Sequence, residues 1–413
     1  MIGNILTLRK VVIWVEQDAA FVTLQKIVEK YLNSEFKVEI YTFEKFFSLI
    51  DRIVAHKNVE LKSIEEKQSK LAQTISSLIS PFLVHSSFST MYQRKVSNRH
   101  FLYQVLNKLA EKITPEGENF NRNYQKIMRF FSPRIEADIL FVISRASMTH
   151  LLANASVEKK IHLIDSWDHA VKAPFFFDAD ISLTWNTIIA ADVKRIQKAE
   201  RVYKTHNYKF SYLNGGDCDG ELEKFLSKES KADLEIFRTK KICLYPLSIS
   251  KLNPKAFIEE LSLVEELAKA ASAEGFHIYL KPKPNSLEAD FAGVKFASNI
   301  HLGLCTPNQG FEDLLNREYN FHRKLLLQKS KLLVNFGTTF CLEAAICDLR
   351  IAQIRGVEQL KHLHELGQNP HLERYLANLG VSYSLSNIGH IFRDGDAKLQ
   401  QEFSKNLKSW LNS

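Results

Sequence analysis

The residues best suited to chemistry lie in two short loops. The first is Gly337-Thr338-Thr339, which follows the apolar run Leu332 to Val334 and precedes Phe340-Cys341-Leu342-Glu343-Ala344-Ala345. This order reads as a buried strand, a tight turn and the opening of a helix. Such a junction can hold an anion: Gly337 permits close backbone approach, Thr338 or Thr339 caps the helix, and the first helical N–H groups point at an incoming phosphate. Glu343 stands near the helix end that favours negative charge. The second loop is Lys281-Pro282-Lys283-Pro284-Asn285, after the strand pattern Phe276 to Leu280. Its prolines forbid regular pairing and hold two ammonium groups at the carboxyl end of a strand. Open parallel sheets bind ligands at that edge. Strand-turn-helix junctions with Gly and Thr also occur where nothing binds, so the reading rests on the pairing of the two loops.

A third group, Asp165, Asp168 and His169, follows the strand pattern Ile161 to Ile164. A carboxylate there can reach a cleft, and Asp168 with His169 combines a base with an orienting partner. Asp165 or Ser166 serves equally well as a turn cap. Trp167 and Trp185 suit stacking on a sugar or base, and suit a core as well. Glu16 and Asp18 follow the first strand, as contacts for a second substrate or as loop caps. Asp178 and Asp180 have DxD form, but they precede a strand beside Phe175-Phe176-Phe177 and no metal site is expected. His277 falls inside a strand and is expected to pack, while His206 and Asn207 are weaker candidates. The stretch Phe120, Tyr124, Ile127, Met128 and Phe131, with Arg122, Lys126 and Arg129 elsewhere on the same helix, suits a core face or an anionic membrane surface.

The elements that must position these residues alternate β and α. Strand patterns occur at Lys10–Glu16, Lys37–Phe43, Ala137–Ile143, Lys160–Ile164 and Ile181–Trp185, with a helix at Phe21–Leu32 and a largely helical insertion at about 44–131. The pattern restarts at Lys241–Pro246, with a helix at about Pro254–Glu274, the two loop-bearing strands, a strand at Arg350–Ile354 and a last helix at about Ala397–Leu411. The expected organisation is an N-terminal α/β domain over 1–215, a linker at 216–238, a C-terminal α/β domain over 239–395 and a helix at 396–413 that packs back on the first domain. No GxGxxG or GxxxxGK[ST] pattern is present, so neither dinucleotide nor P-loop binding has sequence support.

At 413 residues the chain exceeds what one core usually serves. Hydrophobic residues make up 45% and charged residues 25%, the balance of a globular protein rather than a disordered one. No apolar stretch approaches the roughly 20 residues that span a bilayer, and Val11 to Val15 is too short for a signal sequence; a cytoplasmic location is expected. Five cysteines without a CxxC spacing argue against a disulfide framework and against a zinc site. The net charge of +8 favours an anionic partner.

With these elements in place the chain resembles the two-domain glycosyltransferases of the GT-B fold, particularly bacterial enzymes that build surface polysaccharides. Ile161-His162-Leu163-Ile164-Asp165-Ser166-Trp167-Asp168-His169, followed by Ile181-Ser182-Leu183-Thr184-Trp185-Asn186, is similar to a pattern near the end of the N-terminal domain in such proteins. Lys281-Pro282-Lys283-Pro284 is similar to the basic loop by which sialyltransferase-like and Kdo-transferase-like enzymes approach the donor nucleotide. Gly337-Thr338-Thr339 with Glu343-Ala344-Ala345 is similar to their turn for the donor phosphate. The resemblance spans about residues 137–355. It departs at the loop histidine, replaced here by Lys281 or Lys283, which neutralises phosphate but offers no near-neutral acid.

The resemblance implies two Rossmann-like domains facing a cleft, with nucleotide held by the C-terminal domain and acceptor by the N-terminal one. It implies nucleotide and phosphate contacts from Lys281, Lys283, Gly337, Thr338, Thr339 and Glu343. Reactive groups would come from Asp165, Asp168 and His169, and acceptor or sugar contacts from Glu16, Asp18, Trp167 and Asn186. A CMP-sugar is the favoured donor and a UDP-sugar the next, with no cofactor and no metal. The acceptor would be a bacterial surface polysaccharide or lipid-linked glycan, reached by peripheral contact with the inner face of an anionic membrane. Two alternatives stand beside this: transfer of a polyol phosphate from a CDP-linked donor, and non-enzymatic nucleic-acid binding. Against the latter, no RRM, KH, helix-turn-helix or zinc signature is present, nor a dense Lys/Arg tract, and no nucleic acid partner is expected.

Overall fold

The computed structural model describes residues 9–16, 21–31, 36–54, 58–67, 129, 132, 134–143, 152, 154–164, 179–194, 201–205, 207–213, 224, 226–283, 286–305, 317–367, 376 and 379–412. The chain divides into two compact units, Met1–Lys209 and Phe210–Ser413. Each is built on a parallel sheet, and each therefore has α/β architecture.

The first unit contains β1 (Arg9–Val15), α1 (Phe21–Tyr31), β2 (Phe36–Thr42), α2 (Phe47–Ile53), β3 (Val59–Ser63), β4 (Ile135–Ile143), β5 (Ala155–Leu163), β6 (Ile181–Thr184), α3 (Thr187–Asp192) and β7 (Val202–Lys204). The sheet order is β3-β2-β1-β4-β5-β6-β7, and every pairing is parallel. The chain grows outward on one side to β3 and then returns to β4 and grows the other way. The switch point is therefore between β1 and β4. Val11 to Val15 are fully buried, as a central parallel strand covered on both faces requires. On α1 the buried residues Phe21, Leu24, Ile27 and Val28 recur at helical spacing.

The expected helical insertion at 44–131 is corrected at its start. Glu44–Phe46 and α2 are helical, but Val59–Ser63 is a strand parallel to β2. Its sequence Val-Glu-Leu-Lys-Ser alternates apolar and polar residues, as suits a half-exposed edge strand. Most of the remainder of that insertion lies outside the described residues.

The second unit contains α4 (Lys228–Thr239), β8 (Lys241–Pro246), α5 (Pro254–Ala273), β9 (Phe276–Lys281), β10 (Ile300–Leu302), α6 (Arg317–Lys329), β11 (Leu332–Asn335), α7 (Phe340–Ile346), β12 (Ile351–Ile354), α8 (Lys361–Gly367), β13 (Ser382–Tyr383) and α9 (Ala397–Asn412). Its sheet order is β10-β9-β8-β11-β12-β13, again parallel throughout, with the switch point between β8 and β11. The core joins the apolar face of α5 to the sheet through Phe257, Leu263, Leu267, Phe276, Ile278 and Val334.

One stretch of this unit differs from expectation. Much of the stretch read as a linker is α4, whose Ser227 side chain accepts from the Ser230 N–H at 3.1 Å as its N-cap. The buried Ser230, Leu234 and Phe237 form a helical face obscured by abundant charge, and Phe237 packs on Tyr279 with ring centroids 5.1 Å apart. The last helix, α9, packs on α7 and β12 of its own unit. Phe403, Leu407 and Trp410 are buried there, each stabilising by about 1.5–3 kcal/mol. Asn406 Nδ2 donates to the Leu379 carbonyl at 2.8 Å, and Lys408 pairs with Asp348 at 2.6 Å.

Candidate functional site

The switch point of the second unit gathers the carboxyl ends of β8, β9 and β11. Asn335, the last residue of β11, is fully buried and donates from Nδ2 to Gln353 Oε1 on β12 at 2.6 Å. Its Oδ1 accepts from the Thr338 N–H at 3.2 Å and from the Thr338 hydroxyl at 2.9 Å. One amide thus ties the turn to the sheet. Gly337 takes φ 138°, where a Cβ would be strained, so the turn needs glycine. Thr339 is the N-cap residue of α7, but no side-chain cap bond forms. The expectation of a threonine cap is corrected for that reason: Asn335 takes the Thr338 hydroxyl, and Thr339 stands exposed at the edge. The opening turn of a helix leaves its first N–H groups without partners inside the helix, and here that turn opens at the switch point.

Lys281 ends β9, and its ammonium reaches the ring of the residue that follows this turn. Nζ lies 5.2 Å from the centroid of Phe340, the first residue of α7. Lys281 and Phe340, far apart in sequence, are therefore neighbours. Lys283 goes elsewhere. Its Nζ donates to the Ser248 carbonyl at 3.0 Å in the loop after β8. Burial lowers its pKa, and the carboxylate of Glu260 opposes that shift. Of the two lysines expected to hold phosphate, Lys281 reaches Phe340 and Lys283 the loop after β8.

Glu260 is the residue that sequence reasoning missed. It lies on α5 with no exposed surface, and its Oε1 accepts from the Ser248 N–H at 2.8 Å, the Ser248 hydroxyl at 2.7 Å and the Tyr245 hydroxyl at 3.2 Å. Oε2 accepts from the Ile249 N–H at 2.8 Å. Desolvation raises its pKa against these bonds. The carboxylate fixes the loop after β8, and the Leu247 N–H donates to the Lys281 carbonyl at 3.0 Å, so the same loop steadies the end of β9. A carboxylate set among the apolar positions Ala256, Phe257, Leu263 and Val264 was the available signal.

Glu343 opens α7 as expected, but its carboxylate faces inward. It is 4% exposed, one oxygen pairs with Arg323 and the other accepts from the Tyr212 hydroxyl. Burial raises the Tyr212 pKa, with the Arg323 charge opposing. Arg323 also lies 5.1 Å from the Phe340 ring centroid and 5.4 Å from that of Tyr319. Glu343 therefore anchors α7 through Arg323 and Tyr212.

In the first unit, Glu16 follows β1 at the switch point, 6% exposed, and Oε1 accepts from the Trp14 indole at 2.7 Å. Asn186 is fully buried and caps α3, accepting from the Ile189 N–H at 2.8 Å. Both buried side chains hold a hydrogen bond within the unit, as buried polar groups generally do. Trp185 is buried in the core at 3% exposure. Asp180 accepts from the Lys160 N–H at 2.7 Å, pinning the start of β6. Asp165, Trp167, Asp168, His169, Asp18, Asp178 and His206 lie outside the described residues. Among the described residues no group of three or more His, Cys, Asp or Glu is arranged to hold a metal, and no helix is long and apolar enough to cross a membrane.

No protein family model matches the chain, and no curated protein does. Among solved structures it is similar to HepE from Anabaena in complex with UDP-glucose, at 9% identity over 98% of this chain and 94% of that one, with a TM-score of 0.47. It is similar to UDP-GlcNAc 2-epimerase from Methanocaldococcus jannaschii, at 11% identity over 97% and 98% with a TM-score of 0.49. It is also similar to WaaG, a glycosyltransferase involved in lipopolysaccharide biosynthesis, at 10% identity over 98% and 95% with a TM-score of 0.43. The fold is assigned from the chain's own topology: two α/β units, each wound in both directions from a switch point.

Proposed function

We propose that this chain is a glycosyltransferase that takes a nucleotide-sugar donor, with the donor phosphate bound at the carboxyl edge of the second unit. The supporting observation is the approach of Lys281 to Phe340 at the Gly337-Thr338-Thr339 turn, at the switch point of an open parallel sheet. A cation and a helix opening there suit the charge that develops on a departing nucleotide. In the reaction an acceptor hydroxyl forms a bond to the anomeric carbon, the bond from that carbon to the phosphate oxygen breaks, and the nucleotide leaves with the electron pair. Asp168, with Asp165 and His169 beside it in sequence, is proposed to take the hydroxyl proton in the first unit. A CMP-sugar is the proposed donor, with a UDP-sugar next, and a surface polysaccharide or lipid-linked glycan the proposed acceptor.

Calorimetric titration with CMP, CDP, UDP and GDP tests the donor site. One nucleotide is expected to bind preferentially, and Lys281→Ala is expected to weaken it about tenfold, the loss of one charge-assisted contact. Lys283→Ala should weaken it less. Undiminished affinity in a folded Lys281→Ala variant would remove the site from this edge.

A further inference from the structure

The turn proposed for the donor phosphate opens a helix that carries a carboxylate in its own first turn. That carboxylate is Glu343. A negative charge there is favoured by the free N–H groups at the helix opening. For the same reason it opposes any second anion that comes to those groups, since like charges in a partly buried site repel with little screening. Left bare, Glu343 would work against a phosphate. It is not bare: one of its oxygens pairs with the guanidinium of Arg323 on α6, and the other accepts from the Tyr212 hydroxyl.

Stability explains the pair poorly. Arg323 and Glu343 are both buried, and a buried ion pair seldom gains over apolar side chains of the same volume. Arg323 Nε is buried without a hydrogen bond, so the guanidinium is not fully used by its partners. What the pair adjoins is the site. The centroid of the Phe340 ring lies 5.1 Å from Arg323 Cζ and 5.2 Å from Lys281 Nζ, so the buried cation and the cation of the site share one ring at the start of α7. We infer that Arg323 sets the charge of the donor-phosphate site: by neutralising Glu343 it lets the opening of α7 and Lys281 meet a phosphate without an opposing anion. Buried as it is, Arg323 is a positioning residue that acts through Glu343. This rests on the proposed transferase reading, which supplies the nucleotide phosphate as the anion at this edge.

The test is calorimetric titration of the full chain with CMP, CDP, UMP and UDP. Glu343→Gln keeps the shape and removes the negative charge, and is expected to tighten the preferred nucleoside diphosphate about tenfold and its monophosphate less. Arg323→Met leaves the carboxylate unneutralised and should weaken the diphosphate about tenfold, again with the smaller effect on the monophosphate. The double variant Arg323→Met/Glu343→Gln removes both charges and should return both affinities to within about twofold of the unmodified chain. Tyr212→Phe is nearly isosteric and strips one hydrogen bond from the carboxylate. It should weaken the diphosphate about threefold, and it keeps the test open if a variant with one uncompensated buried charge does not fold. A packing defect would instead weaken both nucleotides equally. A folded Glu343→Gln variant that binds the diphosphate no tighter than the unmodified chain, or equal changes for mono- and diphosphate across the folded variants, would overturn the inference while leaving the donor site in place. Failure of the transferase reading looks different: the unmodified chain then binds none of the four nucleotides, or binds as well without Lys281, and both proposals fall.

Discussion

At the residue scale, the turn after β11 rests on one backbone angle and one amide. Gly337 has φ 138° and Asn335 holds the turn through two hydrogen bonds from Thr338. Adding a Cβ at 337 strains the backbone by roughly 1–3 kcal/mol. Gly337→Ala is therefore expected to lower thermal stability by that order and to weaken nucleotide binding, read together by melting with and without nucleotide. A variant that melts and binds as the unmodified chain does would show that the turn tolerates another geometry. The candidate site was legible at this scale where a residue type is demanded by the backbone: Gly337, and the prolines that leave Lys281 at a strand end. It was not legible where a partner decides. Nothing in the sequence says that Thr338 donates to Asn335 rather than capping α7, that Glu343 turns to Arg323, or that Lys283 is drawn to the loop fixed by Glu260.

At the element scale, strands with continuous apolar runs were legible because a parallel sheet buries both faces. β1, β8, β9 and β11 appear within two residues of their expected bounds. The short strands β3, β10 and β13 were not, since edge strands of two to five residues carry too little pattern. One element pair has a pH signature. His277 on β9 and His301 on β10 are neighbours, with Nδ1 and Nε2 3.0 Å apart. Burial lowers both pKa values below the usual 6.5; nearby Lys240 adds to the shift at both rings, and His277 adds to it at His301. The unfolded chain then binds protons more readily than the folded one just below pH 6.5, so the contribution of the neutral pair is complete above that value and is lost as pH falls through the folded values. His301→Gln is expected to flatten the stability loss as pH falls below 6.5, measured by urea unfolding at each pH. An unchanged slope would assign the acid limb to other groups.

At the scale of the whole molecule, the charge of +8 and the two parallel sheets frame the choice between small-ligand and polymer partners. A polymer held by general charge loses affinity steeply with salt, as counterion release demands. A nucleotide held by one lysine and oriented donors loses much less. Binding of the preferred nucleotide is therefore expected to survive a rise from about 50 to 200 mM salt that abolishes single-stranded nucleic acid binding. Nucleic acid retention with loss of the nucleotide would favour the polymer reading.

Parallel pairing throughout both units also sets how the chain must assemble. No strand among those described meets its neighbour through a hairpin; β1 must wait for β4 at Ile135, and β8 for β11 at Leu332. Closing such long loops is entropically costly before any contact rewards it. During synthesis β8 therefore emerges with one flank open until more than half of its unit has been made. The same winding that creates a switch point for a ligand leaves an unpaired strand edge while the chain is young, the kind of edge on which another copy can pair.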